Sequence, residues 1–263
     1  MHASVSPFII KPELLMLAYR SGIFPMADSR DDPDIFWVEP KNRAILPLDG
    51  FHLSRSLART LRRGRFSVTC NQAFDEVIEA CAAPRAIDGG ESWISHRIAE
   101  SYRQLHKLGL AHSIECWQDA EDGTRRLVGG LYGVGFDRVF CGESMFSRVP
   151  DASKVALAWL VAALVRSGAE LLDCQFITPH LASLGAIEIS QKRYLALLSA
   201  AQRPYSAAAG AADAVGDGEG AGVGDGVGLA LPVGFGALLA DAAAAGWASS
   251  PGNFIAHCLT QTS

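Results

Sequence analysis

The stretch RLVGGLYGVGFDRVFCGESMFSRVPDASKVALAWLVAALVRSGAELLDCQF, Arg126 to Phe176, decides the fold. It reads as strand, turn, strand, loop, helix, strand. Leu127, Val128, Leu131 and Val134 favour extended backbone, and the glycines at 129, 130, 133 and 135 mark bends or close approaches. Val139-Phe140-Cys141 leads a second strand into Gly142-Glu143-Ser144-Met145-Phe146. The apolar run from Val155 to Val165 is too short to span a membrane and suits a helix buried between layers, with Asp151 or Ser153 as N-cap and Gly168 placed to stop it. Leu171 to Phe176 then reads as a central strand carrying two polar residues, Asp173 and Gln175, which strand alternation puts on one side. Burying a carboxylate on an interior strand is costly unless it is hydrogen-bonded or faces a wet cleft. Either the pair is bonded to a neighbouring loop, or the carboxylate orients an amide at a reaction centre that Glu143 also reaches.

Composition bounds the rest. The chain has 263 residues, 49% of them hydrophobic and 19% charged, enough for a sizeable core in one large or two modest domains. No apolar leader or long apolar run supports secretion or membrane insertion. The cysteines at 70, 81, 116, 141, 174 and 258 are scattered without metal-ligand spacing. A cytoplasmic, metal-free protein is the expectation. The net charge of -5 argues against a protein coated in positive charge, so any polyanion contact must be local.

Along the chain, Pro12 to Arg20 has the form of a short helix with Tyr19 at its margin. Gly22 to Met26 breaks it and reads as an apolar loop, either tucked into the core or lining a pocket. An acidic turn (Asp28 to Asp34) precedes strands at 35–38 and 44–46, joined by Glu39-Pro40-Lys41-Asn42-Arg43. The segment from Leu53 to Arg65 gathers Arg55, Arg59, Arg62, Arg63 and Arg65 with no acid among them. Arg55, Arg59 and Arg62 share a helix face opposite Leu53, Leu57 and Leu61. This is a solvated face or a phosphate-binding surface. Helices are expected over 72–81 and 93–108, a strand over 66–69, and a hairpin from 112–117 through the turn Glu121-Asp122-Gly123. Short helices follow at 179–184 and 191–200. Residues 206–228 are low in complexity and read as a linker, with a weak helix at 237–245 and a segment at 254–259 that docks back.

CGESMFS (141–147), ASK (152–154) and LLDCQF (171–176), with GIFPM (22–26), HLSRSLAR (52–59), ESWIS (91–95) and LVGGLYGV (127–134), resemble the leucyl/phenylalanyl-tRNA–protein transferase family. They occur in the family's order over roughly residues 12 to 200. The resemblance implies an α+β fold, a small N-terminal domain (1–85) with the basic helix and a larger acetyltransferase-like domain (86–205), before the linker (206–229) and tail (230–263). It implies transfer of Leu or Phe, with Met an open third choice, from aminoacyl-tRNA to the N-terminal Arg or Lys of acceptor proteins, marking them for degradation. An aminoacyl ester is already activated, so no cofactor is expected, nor any membrane or DNA partner. Asp173, Gln175 and Glu143 become the expected catalytic set. Trp93 and Leu131, which would otherwise read as core, become the pocket for the transferred side chain, with Met26, Tyr19 and Phe146 as further substrate-binding residues. The arginines Arg55, Arg59, Arg62, Arg63 and Arg65 become the tRNA contact. Met26 and Leu131 depart from the commoner Trp and Met of the family, which leaves side-chain preference open. A non-catalytic tRNA-binding protein and an acyltransferase with a thioester donor are the alternatives.

Overall fold

The computed structural model describes residues 9–84, 91–120, 122–203 and 228–261. Its centre is the quoted stretch. Strands β5 (Ala111–Asp119), β6 (Arg125–Phe136) and β7 (Val139–Ser147) form an antiparallel meander, and α5 (Ala152–Arg166) crosses over to β8 (Leu171–Gln175), which lies parallel to β7. This β7–α5–β8 crossover leaves α5 against one face of the sheet and buried on nearly every side, which is why its sequence has no polar face. Ser167 ends it and Gly168 turns the chain at φ 73°, as the sequence leads one to expect.

The sheet has seven strands in the order β4-β5-β6-β7-β8-β3-β9, where β3 is Asn42–Ile45, β4 is Ser67–Cys70 and β9 is Ile187–Ser190. Strands from both sides of Arg85 thus share one sheet, so the expected boundary there does not divide the core. Residues 85–90 themselves lie outside those described, as do residues 204–227, which hold nearly all of the expected linker. The apolar segment at 22–26, expected as a loop, contributes β1 (Phe24–Met26), which pairs with β2 (Phe36–Val38) in a two-stranded ribbon. Neither β1 nor β9 has local periodicity long enough to announce it; each exists because a distant partner satisfies its backbone.

On one face, α5 is covered by α2 (Arg55–Arg62), α8 (Leu231–Ala244) and α9 (Pro251–Gln261). The other face carries α1 (Pro12–Arg20), α3 (Phe74–Ala82), α4 (His96–Lys107) and α7 (Gln191–Ala201), while α6 (Pro179–Ala182) caps the end of β8. Helix α4 starts later than the amphipathic pattern suggests, because Ser95 accepts the backbone N–H of Ile98 at 3.3 Å and caps it. Trp93 is thereby left outside the helix. The C-terminal segment is integral to the core: Leu231, Phe235 and Leu238 of α8, and Ile255, Ala256 and Leu259 of α9, are buried with α5 and with Leu57 and Leu61 of α2.

Two glycines of this tail give opposite expectations. A Cβ on Gly252 would lie 2.2 Å from the Leu61 carbonyl oxygen, whereas one on Gly236, inside α8, meets nothing within 4 Å. Gly252→Ala is expected to lower stability by about 1–3 kcal/mol through overpacking. Gly236→Ala is expected to raise it by roughly 0.5–1 kcal/mol through helix propensity. Thermal melts of both variants check the docking of the tail.

Candidate active site

Strands β7 and β8 pair only at Val139–Cys141 opposite Leu171–Asp173. Beyond Cys141 and Asp173, β7 follows β6 to Ser147, while β8 runs along β3. The strands therefore part at their carboxyl ends, and a cavity of about 680 Å³ opens between them. That is the position where open sheets with parallel strands bind ligands, and the size suits an enclosed small-molecule group.

Apolar side chains make one end of the cavity: Leu131 from β6, Met145 from β7, Leu157 and Leu160 from α5, and Leu172 from β8. Met26, Trp93, Tyr132, Phe146 and Phe176 continue the wall. Trp93 is tied to the ribbon through its carbonyl, which accepts the Ala27 N–H at 3.2 Å. The expected residues Met26, Trp93, Leu131, Phe146, Glu143 and Gln175 thus all line this cavity. Tyr19 and Asp173 do not line it.

Glu143 is the acidic side chain among the cavity's lining residues. It is buried, and Tyr102 of α4 donates to its Oε2 at 3.0 Å, with Tyr19 bonded in turn to the Tyr102 hydroxyl. Tyr19 therefore stands behind the carboxylate and supports it through Tyr102. Burial pushes the Glu143 carboxyl up from 4.5 to about 7; the neighbouring polar groups of Tyr19, Gln175 and Tyr102 favour its ionised form, and the Asp173 charge opposes it. Oε1 of Glu143 and Nε2 of Gln175 are buried without a completed hydrogen bond, in two side chains that line the cavity and lie near enough to interact. Unspent buried polar atoms at a cavity wall are available to a ligand.

Asp173 is fully engaged elsewhere. Arg43 Nε donates to its Oδ1 at 2.9 Å and Nη2 to its Oδ2 at 2.6 Å, in a fork whose members are 1% and 0% exposed. Tyr194 of α7 donates to Oδ2 at 3.0 Å. The backbone N–H of Gln175 donates to Oδ1 at 2.8 Å, and Gln175 has φ 62°. The positive φ falls at the last residue of β8, and the link between Asp173 and Gln175 runs through backbone. A left-handed backbone costs a side-chain-bearing residue roughly 1–2 kcal/mol, and the carboxylate holds it there.

Arg43, Tyr102 and Tyr194 escape a reading of the sequence. Arg43 falls in a polar connection there, and Tyr102 among ordinary core residues. The one available signal is the interior Asp173 itself, which demands a buried cation or several donors.

Arg55, Arg59, Arg62, Arg63 and Arg65 are all exposed, and none forms an ion pair among the described residues. Thr60 on the same helix donates to Asp151 Oδ2 at 3.3 Å. Asp151 precedes α5, whose Ser153 lines the cavity, so the basic helix adjoins the cavity's lip. Among the described residues, no group of three or more His, Cys, Asp or Glu is placed to hold a metal ion, and no helix is long and apolar enough to cross a membrane.

An apolar cavity between splayed strands, with a buried carboxyl in its lining, marks this mixed α+β fold as a protein with a built ligand site at the carboxyl ends of parallel strands. Comparison with known proteins carries this further. A family described as leucyl/phenylalanyl-tRNA protein transferase matches residues 45–199, and the N-terminal domain of that family matches residues 9–41. The chain is similar to proteins named leucyl/phenylalanyl-tRNA–protein transferase from Novosphingobium aromaticivorans (69% identical, over 98% of this chain and 99% of the relative) and Zymomonas mobilis subsp. mobilis (58%, over 75% and 71%). A third, from Rhizorhabdus wittichii, is 58% identical over 73% of this chain and 75% of its own length. The chain belongs to the leucyl/phenylalanyl-tRNA–protein transferase family.

The electrostatics make a sign-specific prediction. Because the folded-state value of Glu143 is raised from 4.5 to about 7, the stability tied to its neutral form is fully present below 4.5 and is lost as pH rises through 7. Glu143→Gln should remove that decline, so that denaturant midpoints of variant and wild type diverge in the variant's favour between pH 5 and about 8. Parallel midpoints across that range would show that Glu143 titrates as an ordinary carboxyl.

Proposed function

We propose that the cavity receives the Leu or Phe residue, or Met, of an aminoacyl-tRNA, and that the site passes it to the α-amino group of a protein beginning with Arg or Lys, marking that protein for degradation. The observation that carries the reading is the free Oε1 of Glu143 beside the Gln175 amide on the wall of an apolar cavity. The acceptor nitrogen attacks the ester carbonyl; a C–N bond forms and the C–O bond to the ribose breaks. The cationic amine gives one proton to Glu143 before it attacks and loses a second to solvent as the C–N bond forms; Glu143 passes its proton to the departing ribose oxygen, so the enzyme is restored and one proton is released overall. Amines of this type have a reference pKa of about 7.7–8, close to the raised value of Glu143, so the transfer is nearly balanced. Gln175 aligns the amine, an amide being far too weak a base to deprotonate it. Asp173 contributes through the backbone bond that fixes Gln175.

The apolar end of the cavity supplies what a Leu or Phe side chain needs, while the exposed arginines of α2 supply the charge that a tRNA backbone needs. Phosphate contacts carry little sequence information, so choice among aminoacyl groups rests with the cavity. The N-terminal Arg or Lys of the acceptor meets a carboxylate rather than another cation on the wall.

The deciding experiment is transfer of labelled leucine from Leu-tRNA to a peptide with N-terminal Arg. Glu143→Gln should lower kcat by about 10²–10⁴-fold while leaving tRNA affinity unchanged. Binding of Leu-tRNA without transfer by the wild-type protein would support a tRNA-binding protein instead. Neutralising Arg55 and Arg59 together should raise Kd for Leu-tRNA and Phe-tRNA alike. It should also flatten the logarithmic salt slope by about 0.9 for each phosphate no longer neutralised. An unchanged slope would mark these arginines as a solvated face only.

A further inference from the structure

Arg43 is among the largest fully buried side chains, and it does not line the cavity. Its guanidinium lies between the rings of Phe24 and Tyr194, with centroid distances of 4.7 and 4.5 Å. Nη1 donates to the Gly22 carbonyl at 3.0 Å, while Nε and Nη2 form the fork on Asp173. Burial works against the charge, but the Asp173 carboxylate outweighs it and holds the guanidinium protonated even more firmly than usual. Four donors, Arg43 Nε and Nη2, the Tyr194 hydroxyl and the Gln175 N–H, occupy the Asp173 carboxylate and leave it no free position toward a substrate.

What the pair does hold is geometry. Asp173 Oδ1 receives both Arg43 Nε and the Gln175 N–H, so the guanidinium fixes the carboxylate oxygen that fixes a left-handed Gln175. The register of β3 against β8 is irregular at this point, where Ala44 faces Gln175 and Ile45 faces Asp173. The left-handed backbone at 175 decides the direction in which the Gln175 side chain leaves the end of β8 toward the cavity it lines with Glu143. We infer that Arg43 is a positioning residue for the reaction: through Asp173 it sets the backbone of Gln175, and thereby aims the Gln175 amide into the cavity beside Glu143. The inference rests on the proposed reading of the site, and it assigns Asp173 an anchoring role in place of proton transfer.

Lysine at 43 keeps the charge but loses the planar fork that reaches both carboxylate oxygens. Arg43→Lys should therefore lower kcat by between about tenfold and a hundredfold with KM for aminoacyl-tRNA nearly unchanged, because displacement of a positioned group acts on the chemical step. A merely structural arginine would also lower stability, so the discriminating measurement is the same substitution in a Gln175→Ala background. With the amide gone there is nothing left to aim, and Arg43→Lys should then change kcat by less than about twofold while costing the same fall in Tm. Tyr194→Phe, which removes one donor from Asp173 and keeps the ring, is the milder companion should Arg43→Lys fail to fold. It should show a smaller kcat loss that likewise vanishes in the Gln175→Ala background. Equal kcat losses with and without Gln175 overturn the inference and leave the site reading intact. A Gln175→Ala enzyme with wild-type kcat overturns the site reading itself, and the inference with it.

Discussion

The parting of β7 and β8 after Cys141 and Asp173 is the constraint on which the rest of the molecule depends. Two parallel strands that stop pairing leave edges with unspent backbone groups, and such edges must be covered or filled. Here β6 keeps hold of β7 through to Ser147, and β3 takes over β8. The gap between them becomes the cavity. Helix α5 closes its floor because the crossover from β7 to β8 must pass over the gap, and Gly129 lets the start of that helix come close: a Cβ there would lie 2.5 Å from that of Ala152. The ribbon of β1 and β2, with Trp93 beside it, supplies the facing wall.

Cutting a sheet open in this way puts polar groups in a poorly solvated place, and the structure treats its two acids differently. Asp173 receives a cation, a tyrosine hydroxyl and a backbone amide, and its oxygens are fully occupied. Glu143 receives hydroxyl and amide neighbours but no cation, so burial dominates and its pKa rises to about 7. One carboxylate is thereby committed to architecture and the other is left able to change its charge.

This division is only half legible in the sequence. The order of strands and helices from Arg126 to Phe176 can be read because helical and extended periodicities are local properties, and Gly168 ends α5 where a C′ glycine should. Asp173, Gln175 and Glu143 stand out because polar residues interrupt apolar strands. What cannot be read is everything decided by a partner far along the chain. Arg43 looks like the last residue of a polar connection, and its burial is dictated by a carboxylate 130 positions away. Alternation describes Asp173 and Gln175 as two side chains of one strand, and gives no sign of the positive φ at Gln175 or of the backbone bond that ties it to Asp173. The tail has Leu231, Phe235, Leu238 and Ala242 at helical spacing, but Pro232, Gly234 and Gly236 weaken the signal that docking on α5 restores.

The same balance explains how one buried carboxyl serves both halves of the proposed transfer. A cationic amine entering the cavity brings a positive charge beside Glu143 in a medium of low polarity, which favours its ionised form and so creates the base at the moment it is needed. Once the amine has passed its proton to the carboxylate, the positive charge is gone, and burial again favours the neutral acid. That acid stands next to a ribose oxygen gaining negative charge as the ester breaks. Desolvation therefore works in opposite directions before and after bond formation, with no rearrangement of the protein between them. A carboxylate with its own fixed cation, as Asp173 has in Arg43, is insulated from both effects. That insulation suits Asp173 to hold Gln175 still, and the lack of it suits Glu143 to respond to what enters the cavity.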